Sequence, residues 1–253
     1  MTPFHVLIPA RYGSTRLPAK PLLQIAGKPM LQHVVEAAGR SAALSVTVAT
    51  DDPRIVDAVN EFGGTAIITS QTHQSGSDRI AEACARIGFD DHDLIVNVQG
   101  DEPQMPPQVI DQVAGLMADH PLASMATLCT PIDHPQQMLN PAVVKVVMKA
   151  SGEAMYFSRA PIPWKRAGGS STLVDDAYKS AMRHLGIYAC SSGYIQNFAS
   201  RQQAPIEQLE QLEQLRALWY GDIIACAQAC SVPPAGIDDS HDLERVRAAF
   251  AIS

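Results

Sequence analysis

The sequence predicts an α/β protein: a doubly wound, mostly parallel sheet with an inserted β-rich lobe. Three observations carry this expectation. Apolar runs of strand length alternate with stretches of helical periodicity from residue 6 to residue 117, the pattern of parallel strands joined by covering helices. The alternation breaks after about residue 140, where strand-like runs follow one another. No stretch of linker composition separates the two parts, so residues 1–253 read as one domain with an insertion at about 140–200.

Taken in order, residues 6–9, 46–50, 66–69, 94–98 and 123–128 are short, apolar and bounded by turn residues, as buried strands are. Between them, 30–39, 54–62, 78–87 and 107–117 space their apolar residues as helices do. In the insertion, 143–148, 155–157 and 185–189 read as strands, and 166–171 as a polar, glycine-containing loop. A helix over 206–220, a strand over 223–227 and a helix after Ser240 complete the chain. The triplet run at 208–215 reads as part of an amphipathic helix with its leucines toward the core.

Hydrophobic residues make up 46% of the 253 and charged residues 18%, the balance of a globular chain that can bury a core. A net charge of -7 argues against a general nucleic-acid or anionic-membrane binder. The charge is unevenly spread: no Asp or Glu precedes Glu36, whereas Arg11, Arg16, Lys20 and Lys28 do. A local anion site inside an acidic protein follows. No apolar run approaches the roughly 20 residues that span a bilayer and no leader opens the chain, so a cytoplasmic location is expected. Cys84, Cys129, Cys190, Cys226 and Cys230 lack metal-site spacing and are expected to be reduced packing residues.

Doubly wound sheets bind ligands beyond the carboxyl ends of their strands, which singles out the loops at 10–21, 70–77 and 99–106. The first runs Ala10-Arg11-Tyr12-Gly13-Ser14-Thr15-Arg16-Leu17-Pro18-Ala19-Lys20-Pro21. Its turn residues and cations can curl around a polyphosphate, although neither common phosphate-loop spacing is present. Arg11 and Arg16 can fork onto phosphate oxygens, and Lys20 supplies a point charge. Asp101, just after an apolar strand, either helps hold Mg²⁺ or caps a turn before Pro103; Glu102 is expected to point elsewhere. Ser77 either caps the next helix or faces a ligand.

These loops, with Gln99-Gly100-Asp101-Glu102-Pro103, Phe157-Ser158-Arg159-Ala160 and His184-Leu185-Gly186-Ile187-Tyr188, closely resemble the 3-deoxy-manno-octulosonate (Kdo) cytidylyltransferases over nearly the whole chain. The resemblance implies a Rossmann-like, nucleotide-diphospho-sugar transferase-like fold, CTP and Kdo as substrates, CMP-Kdo for lipopolysaccharide synthesis as product, and a homodimer through the inserted lobe. Around the nucleotide it places Ala10, Arg11, Gly13, Ser14, Arg16, Lys20, Ser75, Gly76, Arg79, Gln99 and Gly100, of which Arg11 and Lys20 join Asp101 in catalysis. Toward the sugar it places Gln99, Arg159, His184, Tyr188, Glu213 and Gln214. His184 and Tyr188 read equally as the polar face of a strand, and Glu213 and Gln214 as the wet side of a helix. Asp238 is implied as a second metal ligand beside Asp101, which leaves Ser240 to cap the last helix.

One Mg²⁺ or two would fit such a pair of carboxylates. No side chain stands out as a general base, so activation of the sugar hydroxyl is left to a bound ion. Ala19 occupies a place where relatives usually carry Gly. The alternatives are a cytidylyltransferase for an amino-substituted Kdo or a sialic acid, or an idle CTP sensor.

Overall fold

The computed structural model describes residues 2–13, 17–166 and 177–252. The first apolar run is β1 (His5–Ala10), whose Val6, Leu7 and Ile8 are fully buried because helices cover both faces of the sheet. A small hairpin, β2 (Gln24–Ile25) and β3 (Lys28–Pro29), turns through Ala26 and Gly27 at positive φ and feeds α1 (Met30–Ala38). Strict alternation follows: β4 (Ser45–Thr50), α2 (Pro53–Glu61), β5 (Thr65–Ile68), α3 (Gly76–Ile87), β6 (Leu94–Asn97), α4 (Pro107–Asp119) and β7 (Met125–Pro131). Then come α5 (Pro135–Leu139), β8 (Lys145–Met148), β9 (Ala154–Ser158), β10 (Met182–Ser191) and α6 (Ser192–Ser200). The chain ends with α7 (Pro205–Glu210), α8 (Gln214–Trp219), β11 (Ile224–Gln228) and α9 (Ser240–Ile252).

The sheet runs β11-β7-β10-β6-β1-β4-β5. β1 lies parallel to β4 on one side and to β6 on the other, which makes a switch point at its carboxyl end. Only β10 among these seven runs against its neighbours. Buried residues of α1, α2 and α4 pack one face with Val6, Ile8 and Val96, and those of α3, α6 and α8 pack the other with Leu7 and Ile95.

The segment at 140–200 is divided. The hairpin β8–β9 branches from the main sheet, with β8 pairing one end of β10, while β10 itself runs through the middle, between β6 and β7. The loop expected at 166–171 lies outside the described residues except for Arg166. The helix expected over 206–220 is broken: Gln211 takes φ 53° and separates α7 from α8, so Leu212 and Leu215 enter the core while Leu209 is left exposed. Nor does Ser240 cap α9. Asp239 does, its carboxylate accepting from Asp242 N at 3.0 Å. Four cysteines are buried as expected, whereas Cys230 is exposed.

Two buried cations brace the later half. The Arg216 guanidinium donates to both carboxylate oxygens of Glu207, at 2.9 and 2.6 Å, and also covers the Phe198 ring. Lys145, fully buried, donates to the carbonyls of Asn140, Val143 and Arg159 at 3.1, 2.6 and 2.6 Å. Removing one member of a buried ion pair strands the other charge. Glu207→Ala is therefore expected to lower unfolding free energy by about 3–5 kcal/mol, read from urea denaturation; a loss typical of an exposed ion pair would show that α7 and α8 are held some other way.

Candidate active site

The site begins where β1 ends. Ala10 and Arg11 leave the sheet there, and Lys20 returns to it at the start of a short 3₁₀ turn. That return passes through Ala19 at φ 52°, ψ 32°, a left-handed conformation that glycine adopts without cost and alanine does not. Ser14 and Arg16 lie outside the described residues.

Lys20 Nζ sits 2.7 Å from Asp101 Oδ2 and 3.7 Å from Asp238 Oδ1. Two close approaches put the acids there. A Cβ at Gly100 would stand 2.9 Å from the Pro9 carbonyl oxygen, so only glycine lets the loop after β6 lie across the end of β1. A Cβ at Gly236 would stand 2.9 Å from Glu102 Oε1, and Ile237 N donates to the Asp101 carbonyl at 3.0 Å, which pins the late segment against the early one. Glu102 does not point away as expected. It lines the same cleft, where burial, reinforced by the Asp101 charge, pushes its carboxyl up to about 8.

Two cavities meet at this cluster. One, of about 340 Å³, is lined by Ala10, Arg11, Lys20, Ser75, Gly76, Arg79 and Gly100 among others. The other, of about 950 Å³, is lined by Arg159, His184, Tyr188, Gln214 and their neighbours. Gln99, Asp101, Glu213 and Asp238 line both. Of the described residues expected around a nucleotide, Ala10, Arg11, Lys20, Ser75, Arg79 and Gly100 line the smaller cavity alone, Gly76 and Gln99 line both, and Gly13 lines neither; of those expected around a sugar, Arg159, His184, Tyr188 and Gln214 line the larger alone and Glu213 lines both.

In the smaller cavity, Ser75 rather than Ser77 caps α3, its hydroxyl accepting from Asp78 N at 3.1 Å. The helix thereby turns its N-terminal backbone, rich in free N–H groups, toward the cavity. Arg79 is 3% exposed and already engaged, with Asp51 at 3.0 Å and Thr69 Oγ1 at 2.6 Å, so it braces the wall from behind.

In the larger cavity, the Arg159 guanidinium is held by the carbonyls of Glu210, Pro141 and Gln211 at 2.7, 2.9 and 3.3 Å. Three of its five N–H groups are spent on these bonds, and two remain for an anion. His184 Nε2 lies 3.0 Å from Thr127 Oγ1. The Thr127 hydroxyl proton goes to the Ile187 carbonyl at 2.7 Å, so His184 is the donor to Thr127 and its Nδ1 keeps a lone pair. Burial holds the imidazole neutral, with its pKa pulled down to about 3. Burial, then the Glu213 charge, raises the Tyr188 phenol well above its ordinary value and keeps it protonated. Gln99 Nε2 donates to the Gly186 carbonyl at 3.3 Å at the boundary between the cavities.

Sequence reasoning missed Arg183 and Asn97, both in the larger cavity. Arg183 donates to the Pro233 carbonyl at 3.3 Å. A usable signal for Asn97 existed: Ile95, Asn97, Gln99 and Asp101 recur at period two and all line this cavity.

The family model described as cytidylyltransferase matches residues 5–224. A 3-deoxy-manno-octulosonate cytidylyltransferase of Idiomarina loihiensis is 50% identical over 248 residues, covering 96% of this chain and 97% of its own length. Its namesake in Yersinia enterocolitica is 51% identical over 247 residues, covering 97% of each. A solved CMP:2-keto-3-deoxy-manno-octonic acid synthetase, complexed with CTP, matches with a TM-score of 0.89 at 42% identity over 99% of both chains. A 4-diphosphocytidyl-2C-methyl-D-erythritol synthase, at 13% identity and a TM-score of 0.64, shares the fold over 98% of this chain and 99% of its own.

The neutral His184 has a consequence for stability. Unfolded, its imidazole protonates below about pH 6.5, while the folded one resists until about 3, so the unfolded chain binds the extra proton and stability falls as pH drops across that window. His184→Gln is expected to shrink the loss of unfolding free energy between about pH 7.5 and about pH 4.5, measured by urea denaturation; an undiminished loss would show that other groups govern the slope.

Proposed function

The chain belongs to the cytidylyltransferase family, and on that premise we propose that it transfers a cytidylyl group from CTP to the anomeric hydroxyl of Kdo, releasing pyrophosphate. The new bond joins the sugar oxygen to the α-phosphorus, and the hydroxyl proton passes to solvent. The bond from that phosphorus to the bridging oxygen breaks, and pyrophosphate leaves with the electron pair. One observation carries the residue-level account: Lys20, Asp101 and Asp238 converge where the two cavities open into each other.

CTP occupies the smaller cavity, with its triphosphate against Arg11, Lys20 and the N-terminus of α3. Kdo occupies the larger one. Arg159 turns its two spare N–H groups to the sugar carboxylate. His184 Nδ1 accepts from a sugar hydroxyl, and Tyr188, Glu213 and Gln214 contact others. Gln99 borders both substrates, so it orients the attacking end of one against the phosphate of the other.

The donor set suits Mg²⁺, because two carboxylates already converge on a single cationic nitrogen. Asp101 and Asp238 would hold the ion, which when bound supplies positive charge to the phosphate oxygens. Lys20 neutralises the acids until substrate arrives and then faces the triphosphate.

The chain also works as a homodimer through the β8–β9 hairpin, where Met155 and Tyr156 are exposed along β9. Its place is the cytoplasm, where CTP is made, and its product serves lipopolysaccharide synthesis. No helix among the described residues is long and apolar enough to cross a membrane.

Mixing the protein with CTP, Kdo and Mg²⁺ is expected to release pyrophosphate, and Asp101→Asn to lower that rate by about 10²-fold or more with its circular dichroism unchanged. A wild-type mixture that releases nothing would overturn the activity, and an undiminished variant the role of Asp101. Sedimentation should give twice the mass of one chain, and Tyr156→Lys should bring it toward a single one.

A further inference from the structure

One wall of the larger cavity follows β6 and the chain that continues from it. Ile95, Asn97, Gln99 and Asp101 line it in sequence, and at about 3.3 Å per residue Asn97 lies roughly 6–7 Å deeper than Gln99. Asn97 is also the direct cross-strand neighbour of Tyr188. Below it the lining turns apolar, with Ile80, Ile95 and Phe198.

Two polar atoms at this depth stand out. Asn97 Oδ1 and Gln214 Nε2 are both fully buried and have no hydrogen-bond partner among the described residues. Gln214 as a whole is 5% exposed. A buried polar atom without a partner costs folding free energy, and native proteins retain few of them. Here one is an acceptor and the other a donor, both in the cavity wall, and neither satisfies the other. A hydroxylated chain provides what they lack, since each hydroxyl gives one proton and receives others.

We propose that Asn97 is a specificity-determining residue which, with Gln214, reads the hydroxyls on the tail of the sugar acid, at the end remote from the anomeric carbon. This rests on the assignment of the larger cavity to Kdo. With the anomeric carbon held at Asp101 and Lys20, the tail extends past Gln99 to the level of Asn97, and the apolar lining beneath closes the site behind it. A sugar acid without the terminal hydroxyl leaves the buried amides unpaired, and is rejected on that account.

The test is a substrate-and-variant cycle with Kdo and 8-deoxy-Kdo. Wild-type protein is expected to favour Kdo by roughly 10- to 100-fold in kcat/KM. Asn97→Leu should lose about that factor on Kdo and little on the deoxy sugar, so that the preference collapses while KM for CTP holds. Its unliganded melting temperature should equal or exceed that of wild type, because the orphan acceptor is gone. Gln214→Met supplies a second variant with the same expected collapse. A lower melting temperature in Asn97→Leu with equal losses on both sugars would mark a structural residue and overturn the proposal, as would wild-type indifference to the deoxygenation, or a preference undiminished in both variants. Absence of any wild-type turnover with Kdo would instead remove the functional assignment, and this inference with it.

Discussion

Lys20 holds together two carboxylates that the chain delivers from 81 and 218 residues further on, and the architecture around β1 is the means of getting them there. Two carboxylates gathered around one ammonium repel each other, and the ammonium between them offsets that repulsion. Glu102 beside them would worsen the balance if ionised, but burial first, and the Asp101 charge second, raise its carboxyl pKa and oppose its ionisation. The Lys20 ammonium, partly buried between Asp101 and Asp238, helps make the cluster tolerable in the free protein. It also explains why the first 35 residues carry cations and no acid: any carboxylate in that loop would compete for Lys20. On the proposed function, a triphosphate beside the cluster would bring more negative charge than Arg11 and Lys20 neutralise, and a divalent ion held by the two acids would offset it.

The main features of this arrangement were legible in the sequence because they rest on short-range physics. Alternating apolar runs and helical stretches marked the parallel strands, and Asp101 stood out because it follows a strongly apolar one. Asp238 was visible only through resemblance. No local pattern says that residue 238 lies against residue 101; the contact depends on Gly236 tolerating Glu102 at its Cα and on the bond from Ile237 N.

Helix starts show the opposite case. Ser75 against Ser77, and Asp239 against Ser240, are neighbours with nearly equal capping chemistry, and the choice between them is made by where the chain arrives from. The break at Gln211 had no sequence signal at all, since neither Gly nor Pro is present. It is imposed from outside, by Arg216 clasping Glu207 on the far side of the turn. Lys145 was hidden by its apolar neighbours, and its fully buried amine became intelligible only with three carbonyls around it.

Those late braces and the early cluster serve different ends. The smaller cavity, the proposed phosphate side, is assembled from the first strand, the loop after β6 and the start of α3, where glycines, a helix terminus and cationic side chains come together. The sugar side is assembled from β10 and from the bend between α7 and α8, segments with no place in the regular alternation. Arg159 ties the bend to β8: its guanidinium binds the Glu210 and Gln211 carbonyls at the bend, and its own carbonyl is held by Lys145 of β8. On the proposed function, such a division would let the reacting centre stay constant while the recognition wall changes, because β6 and the loop that follows it reach both cavities. Asp101 would serve the phosphate chemistry and Gln99 the boundary, both from that loop, and Asn97 the sugar, from the last residue of the strand.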